Sequence, residues 1–140
     1  VGEGSWREQR REVVRAQAEA LARKKAAETT RARELVAQFV AAMRSAGIEP
    51  GPLRARAGEG AVTYRTGLRG WYVRRNHAMA VGDDGEFYLL DVPRSAAARL
   101  TGVRPAPSDP PLQAGVGGRD GESMPLEQLL RQRLEAGSDF

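Results

Sequence analysis

Cysteine is absent, histidine occurs once and lysine twice in a chain of 140 residues that carries 20 arginines. Without cysteine there is no disulfide, no thiolate metal site and no thiol nucleophile. A single histidine cannot supply the ligands of a zinc centre. Aromatic residues make up only 6% and hydrophobic residues 41%, so the core must be small and mainly aliphatic. No apolar run approaches the ~20 residues of a membrane span. The segment "VGEGSWREQRRE" lacks the apolar centre of a secretory signal. These absences give the expectation of a cytoplasmic, non-enzymatic chain with no cofactor, no metal, no membrane contact and no small-molecule substrate.

What is present is charge, and its placement says more than its total. Abundant Ala, Gly and Arg match high-GC codon usage, which enriches arginine whatever the function. Residues 1–33 nevertheless carry nine basic and five acidic side chains, the whole of the net +4. Residues 54–75 hold six arginines against Glu59, and residues 76–93 hold Asp83, Asp84, Glu86 and Asp91 with no basic partner. A basic arm, a basic strand region and an acidic turn region follow one another.

Periodicity divides the chain into elements. Ser5-Trp6-Arg7-Glu8 reads as a capping box. From there to Arg44 neither Pro nor Gly intervenes and good helix formers dominate. Gly47 is a natural terminator. The adjacent β-branched Thr29 and Thr30 mark the expected break, with Thr30 as cap of a second helix. Beyond it, Leu35, Val36, Phe39, Val40 and Met43 form one apolar stripe that should dock on a core. Before it, Trp6, Val13, Val14 and Leu21 stand among alanines. Arg10, Gln17, Lys24 and Arg31 fill the position beside the Trp6–Val13–Ala20 row, which disfavours a long homotypic coiled coil.

A short strand is expected at Leu53–Ala57. The segments "AVTYRT", "GWYVRR", "HAMAVG" and "EFYLLDV" read as strands, separated by "GLRG", a polar bend and "DDG". Asp84-Gly85 is a strong hairpin signal. "RPAPSDPPLQAGVGGRDGES" reads as irregular. In "SMPLEQLLRQRLEAG", Ser123 is the expected cap and Gly137 the end, and Leu126, Leu129, Leu130 and Leu134 share a face. The fold class is α+β: a long N-terminal helix, a small antiparallel β-meander of three to four strands and a short C-terminal amphipathic helix. Residues 1–33 form a basic helical arm and residues 34–137 a compact α+β domain.

Four groups of residues invite a chemical reading. In "GWYVRRNH" the period-two rule places Trp71 and Val73 inward, leaving Tyr72 and Arg74 outward, where an aromatic and an arginine can stack a base and meet a phosphate. The competing reading is a half-buried strand with snorkelling arginines. His77 titrates near neutrality, but no spacing joins it to an orienting carboxylate and a nucleophile. It reads as a turn residue. "GVGGRDGESMP" resembles an anion-binding loop ahead of a helix, yet lacks the Gly-Lys-Ser/Thr triplet and the third glycine of the dinucleotide pattern. It reads as a turn on Asp120-Gly121 leading into a helix. Asp83, Asp84, Glu86 and Asp91 lack calcium-loop spacing and read as solvated turn charges.

The arm is the fourth. Arg7, Arg10, Arg11 and Arg15 fall at three- and four-residue steps on one side, and Lys24 and Lys25 follow further on. Such a helix can track phosphates or an acidic protein patch. The competing reading is a solvated helix laced with salt bridges such as Glu8–Arg11 and Arg15–Glu19.

The stretches "TYRTGLRGWYVRRNHAMAVGDDGEFYLLDVP" and "PSDPPLQAGVGGRDGESMPLEQLL" resemble a group of small uncharacterised proteins of high-GC Gram-positive bacteria. There an Ala/Arg/Glu-rich N-terminal helix precedes a compact segment with such phrases. The likeness covers about residues 35–136 and implies a free-standing bacterial cytoplasmic protein, with no activity, cofactor or catalytic residue attached.

The functional expectation is a binding protein that engages an anionic surface: nucleic acid, a ribonucleoprotein or an acidic protein patch. The contacts would fall on the arm together with Arg54, Arg56, Arg65, Arg69, Tyr72 and Arg74. The alternative is a protein–protein adaptor whose N-terminal helix docks through Trp6, Val13, Val14 and Leu21. A small hydrolase using His77 is a distant third.

Overall fold

Glu3–Ser45 forms one unbroken helix, α1, of 43 residues. The structure, a computed structural model, describes residues 3–114 and 123–140. At 1.5 Å per residue α1 is about 64 Å long. The expected break at Thr29-Thr30 does not occur. The Thr30 hydroxyl donates to the Ala26 carbonyl at 3.0 Å, so it is satisfied inside the helix. Each threonine costs at most about 0.7 kcal/mol against alanine, which is less than nucleating a second helix. Ser5 lies within α1 and is not its cap. The far end is as expected. Gly47, at φ +73°, donates to Arg44 O, and Ile48 N donates back to Met43 O, both at 3.0 Å. These two bonds close a Schellman motif.

α1 has two environments. Residues 4–28 are exposed throughout, whereas Ala32, Leu35, Val36, Phe39 and Met43 are buried. The docked half supplies the costly helical nucleus, and the solvated half propagates from it.

Four antiparallel strands follow in the order β1 (Gly51–Ala57), β2 (Val62–Tyr72), β3 (Met79–Gly82) and β4 (Phe87–Leu89). "GLRG" is not a turn, as the sequence suggests, but lies inside an 11-residue β2. The register slips between Pro52 and Arg54, where β2 carries extra residues. Gly67 adopts φ +73° there, a conformation open to glycine at little cost. Buried Thr66 stitches the bulge: its hydroxyl donates to Leu53 O at 2.6 Å and accepts from Leu68 N at 3.0 Å.

The meander also curls back on itself. After β4, Leu90 O accepts from Arg56 N at 2.7 Å and Val92 N donates to Arg56 O at 2.8 Å. This parallel bridge brings the chain round to the outer edge of β1. One face of the curled sheet carries Trp71, Val73, Val81 and Phe87 against α1. The other encloses Leu53, Ala80, Tyr88 and Leu90, with Leu68 and Tyr72 alongside. Phe39 meets Trp71 edge-on with ring centroids 6.2 Å apart, and Trp71 Nε1 donates to Ile48 O at 3.0 Å.

A short helix that the sequence did not suggest, α2 (Ala96–Thr101), covers Ala57 and Tyr64 through Ala98. Its cap is Ser95, whose side chain accepts from Ala98 N. The two-residue strands β5 (Gln113–Ala114) and β6 (Met124–Pro125) pair and lead into α3 (Leu126–Ala136). Pro125 occupies the cap position expected of Ser123, whose hydroxyl instead contacts Gln113 Oε1 at 3.2 Å. Leu126, Leu129 and Leu130 are buried in the core under α1, with Leu134 packed against it. The α+β arrangement expected from sequence is the one present. Among the described residues no helix is long and apolar enough to cross a membrane.

Candidate anion-binding surfaces

Continuity of α1 makes its two halves comparable side by side. The buried residues Ala32, Leu35, Val36, Phe39 and Met43 define one line down the helix. Stepping back along the same line by three and four residues reaches Glu28, Lys25, Leu21, Ala18, Val14, Arg11 and Arg7. The stripe that docks on the sheet thus continues into the arm uncovered, and beyond Glu28 it changes from purely apolar to mixed basic and apolar. Arg7, Arg10, Arg11 and Arg15 gather around Val14 and Ala18 on that side. Arg10 also lies over the Trp6 ring, 4.5 Å from its centroid. Lys24 is about 100° round the helix from Lys25 and falls off the line.

The acidic residues Glu8, Glu12 and Glu19 lie at four- and seven-residue steps on the far side of the helix, roughly 140° round from that line. Of the pairs in the competing reading, such as Glu8–Arg11 and Arg15–Glu19, none is an ion pair among the described residues. Among the described residues the ion pairs of α1 begin at Arg31, which meets Glu34 at 3.6 Å. Arg33 then holds Asp109 at 2.5 Å and Glu86 at 3.7 Å, tying the root of the arm to the domain. Trp6, Val13, Val14 and Leu21 are each more than half exposed.

The arginines of the sheet are placed differently. Arg54 and Arg65 face one another in register across β1 and β2. Arg54 donates to Thr63 through Nε at 3.0 Å, and Arg65 Nη2 donates to Leu100 O at 3.0 Å. Arg69 Nη2 donates to Pro50 O at 2.8 Å. Arg56 is mostly covered, paired with Asp91 through Nε and donating from Nη1 to Asn76 O at 2.7 Å. Hydroxyl and carbonyl partners orient a guanidinium without offsetting its charge, so Arg54, Arg65 and Arg69 stay exposed with neutral partners, while Arg56 is paired with Asp91. No contact joins this group to the arm among the described residues.

Tyr72 does not stand outward as strict alternation suggests. It is half-buried beside the inner cluster, and its hydroxyl accepts from Arg54 N at 2.9 Å. His77 stacks on its ring, centroids 3.8 Å apart and planes 6° from parallel. The curl of the sheet turns this face inward, so Tyr72 offers no open stacking platform. His77 is the expected turn residue, at φ +63° with its N–H donated to Arg74 O at 3.0 Å. Partial burial against its neighbours, and then the Arg56 charge, lowers its pKa from the usual value. The acidic turn is as expected in position, but Asp84 does more than face solvent. Its Oδ1 accepts from Glu86 N at 3.0 Å and its Oδ2 from the Tyr88 hydroxyl at 2.7 Å. The Gly-rich reading of "GVGGRDGE" falls on residues 115–122, outside the described residues.

Arg74 is half-buried, and its Nη2 donates to Ala114 O at 3.2 Å. Its Nε is enclosed without an acceptor among the described residues. A buried unmatched donor of this kind costs about 1–3 kcal/mol. Arg133, absent from the sequence candidates, is 93% buried. Its Nε donates to Tyr72 O and its Nη1 to Gly137 O, each at 2.7 Å. Burial, and then the nearby charge of Arg75, lowers its pKa. The signal was available: Arg133 lies three and four residues beyond Leu130 and Leu129, a charge set inside the apolar stripe of α3.

Among the described residues no group of three or more His, Cys, Asp and Glu side chains is placed to hold a metal ion. No protein-family model, curated protein or solved structure matches the chain.

Proposed function

We propose that this is a non-enzymatic binding protein whose helical arm engages an anionic macromolecular surface, nucleic acid first among them. One observation supports the reading: the docking stripe of α1 runs on into the arm uncovered, and beyond Glu28 its charged residues are Lys25, Arg11 and Arg7, flanked by Arg10 and Arg15. No ion pair within the arm, among the described residues, offsets these charges. The exposed part, residues 4–28, spans about 37 Å at 1.5 Å per residue. That is about one turn of duplex DNA. Arg54, Arg65 and Arg69 add exposed positive charge on the domain, and Arg74 contributes less because it is half-buried.

Purification before and after nuclease treatment tests the reading. The expected result is that nucleic acid accompanies the native chain and is absent from the variant Arg7→Gln/Arg10→Gln/Arg11→Gln/Arg15→Gln. Equal nucleic-acid content in the two, with both helical by circular dichroism, would contradict it.

The exposed line of Trp6, Val13, Val14 and Leu21 favours a second reading, docking on a partner protein through apolar contacts. Salt separates the two. Phosphate binding weakens steeply between about 50 and 200 mM salt by counterion release. An apolar docking holds its affinity over that range, and Trp6→Ala with Leu21→Ala would abolish it.

A further inference from the structure

Where β2 ends and α3 packs across it, a pocket of about 380 Å³ opens between Val73, Arg74, Arg75, Met124, Arg133 and Phe140. That volume lies within the usual range for small-molecule sites, about 300–1,000 Å³. Three guanidinium groups line it, and among the described residues no carboxylate side chain does. None of the three arginines has an ion-pair partner among the described residues.

The groups are also held in place. Arg133 is fixed by two backbone carbonyls and Arg74 by one. Phe140 lies under both Arg133 and Arg75, with its ring centroid 4.3 Å and 5.2 Å from their guanidinium carbons. A cation over an aromatic face is attracted to it, but two cations on one ring still repel each other. Three positive charges in one concavity, with no ion-pair partner among the described residues, are a standing cost, and an anion would relieve it. An arginine presents five N–H donors in a planar fork. Of those on Arg74, a described acceptor meets only Nη2.

We propose that this pocket binds the phosphate group of a phosphate monoester. Arg74, Arg75 and Arg133 meet its oxygens, while Val73, Met124 and Leu129 receive the organic part. A phosphate monoester brings a charge of about −2 near neutrality and three acceptor oxygens. A carboxylate brings one charge and two oxygens, which leaves this cluster short of both. No spacing in the chain points to a small ligand, because Arg133 is remote from Arg74. The site is separate from the arm, so each reading can fail without the other.

Titration of the full chain with phenyl phosphate, followed by calorimetry and by NMR shifts of residues 73–76 and 124–140, tests the proposal. Saturable binding is expected, with benzoate weaker by about tenfold or more. Arg75→Gln is the main variant, since Arg75 is exposed and its replacement leaves the carbonyl contacts of Arg133 intact. It should weaken phenyl phosphate by about tenfold with an unchanged melting temperature. Arg74→Gln should act in the same direction. Absence of saturable binding up to about 10 mM would overturn the proposal. So would equal affinity for benzoate, or full affinity in a folded Arg75→Gln protein. The source of the phosphate is read with the arm neutralised by Arg7→Gln/Arg10→Gln/Arg11→Gln/Arg15→Gln. A 5′-phosphorylated oligonucleotide that outbinds its unphosphorylated twin identifies a chain end, and equal binding of the two identifies a free ester.

Discussion

Tyr88 shows how a single side chain in this fold acquires a measurable signature. Its ring is buried inside the curled sheet, and its hydroxyl donates to Asp84. Burial first, then the hydrogen bond to Asp84 and the charges of Asp84 and Glu86, push its pKa up to about 12, against a smaller opposing effect of Arg104. The raised value means the neutral phenol is favoured by folding. Its contribution is therefore complete below about pH 10 and is lost as pH rises from about 10 to 12. Denaturant titrations should show stability falling across that window by up to about 1.4 kcal/mol per pH unit. Tyr88→Phe should flatten this fall, and an unchanged alkaline slope in that variant would assign the fall elsewhere. None of this was visible in "EFYLLDV", where alternation identifies the strand but not the partner of the hydroxyl. The same holds for Arg133, whose position in an apolar stripe was plain while its acceptors, Tyr72 O and Gly137 O, come from the fold.

Among the elements, the helices were legible wherever one apolar face decided the packing. Leu35, Val36, Phe39 and Met43 on α1 and Leu126, Leu129 and Leu130 on α3 are buried as their spacing demands. Two local signals misled. Thr29-Thr30 suggested a break, but its propensity cost is small beside a helix already nucleated by docking. Gly67 and Gly70 suggested a turn, but the pairing of β2 with both β1 and β3 carries the strand through. Gly70 is required for a different reason, since a Cβ there would come within 2.1 Å of Val81 O. The α2 helix was missed because six residues with one buried alanine carry no stripe to read. The junction of Phe39 and Trp71 is where α1 is held to the sheet. Phe39→Ala should cost about 3–5 kcal/mol in unfolding free energy. A loss below about 1 kcal/mol would show that α1 is anchored by something else.

At the scale of the whole molecule, the curl of the sheet was beyond sequence reading. It depends on Arg56 meeting Leu90 and Val92 across more than thirty residues, and no local pattern encodes that pairing. The curl redirects Tyr72 inward and divides what sequence treated as one basic surface. Arg54, Arg56, Arg65 and Arg69 are bonded into the domain, Arg74 turns toward α3, and Arg7, Arg10, Arg11 and Arg15 have no ion-pair partner among the described residues. The central claim is that the uncovered basic side of α1 meets phosphates. It is tested most directly by the salt dependence of duplex DNA binding, measured by fluorescence anisotropy. Each phosphate contact contributes about 0.9 to the slope of log affinity against log salt. The variant Arg7→Gln/Arg10→Gln/Arg11→Gln/Arg15→Gln should bind more weakly, with the slope reduced by about 3–4. A helical variant that keeps the native affinity and the native slope would contradict the claim.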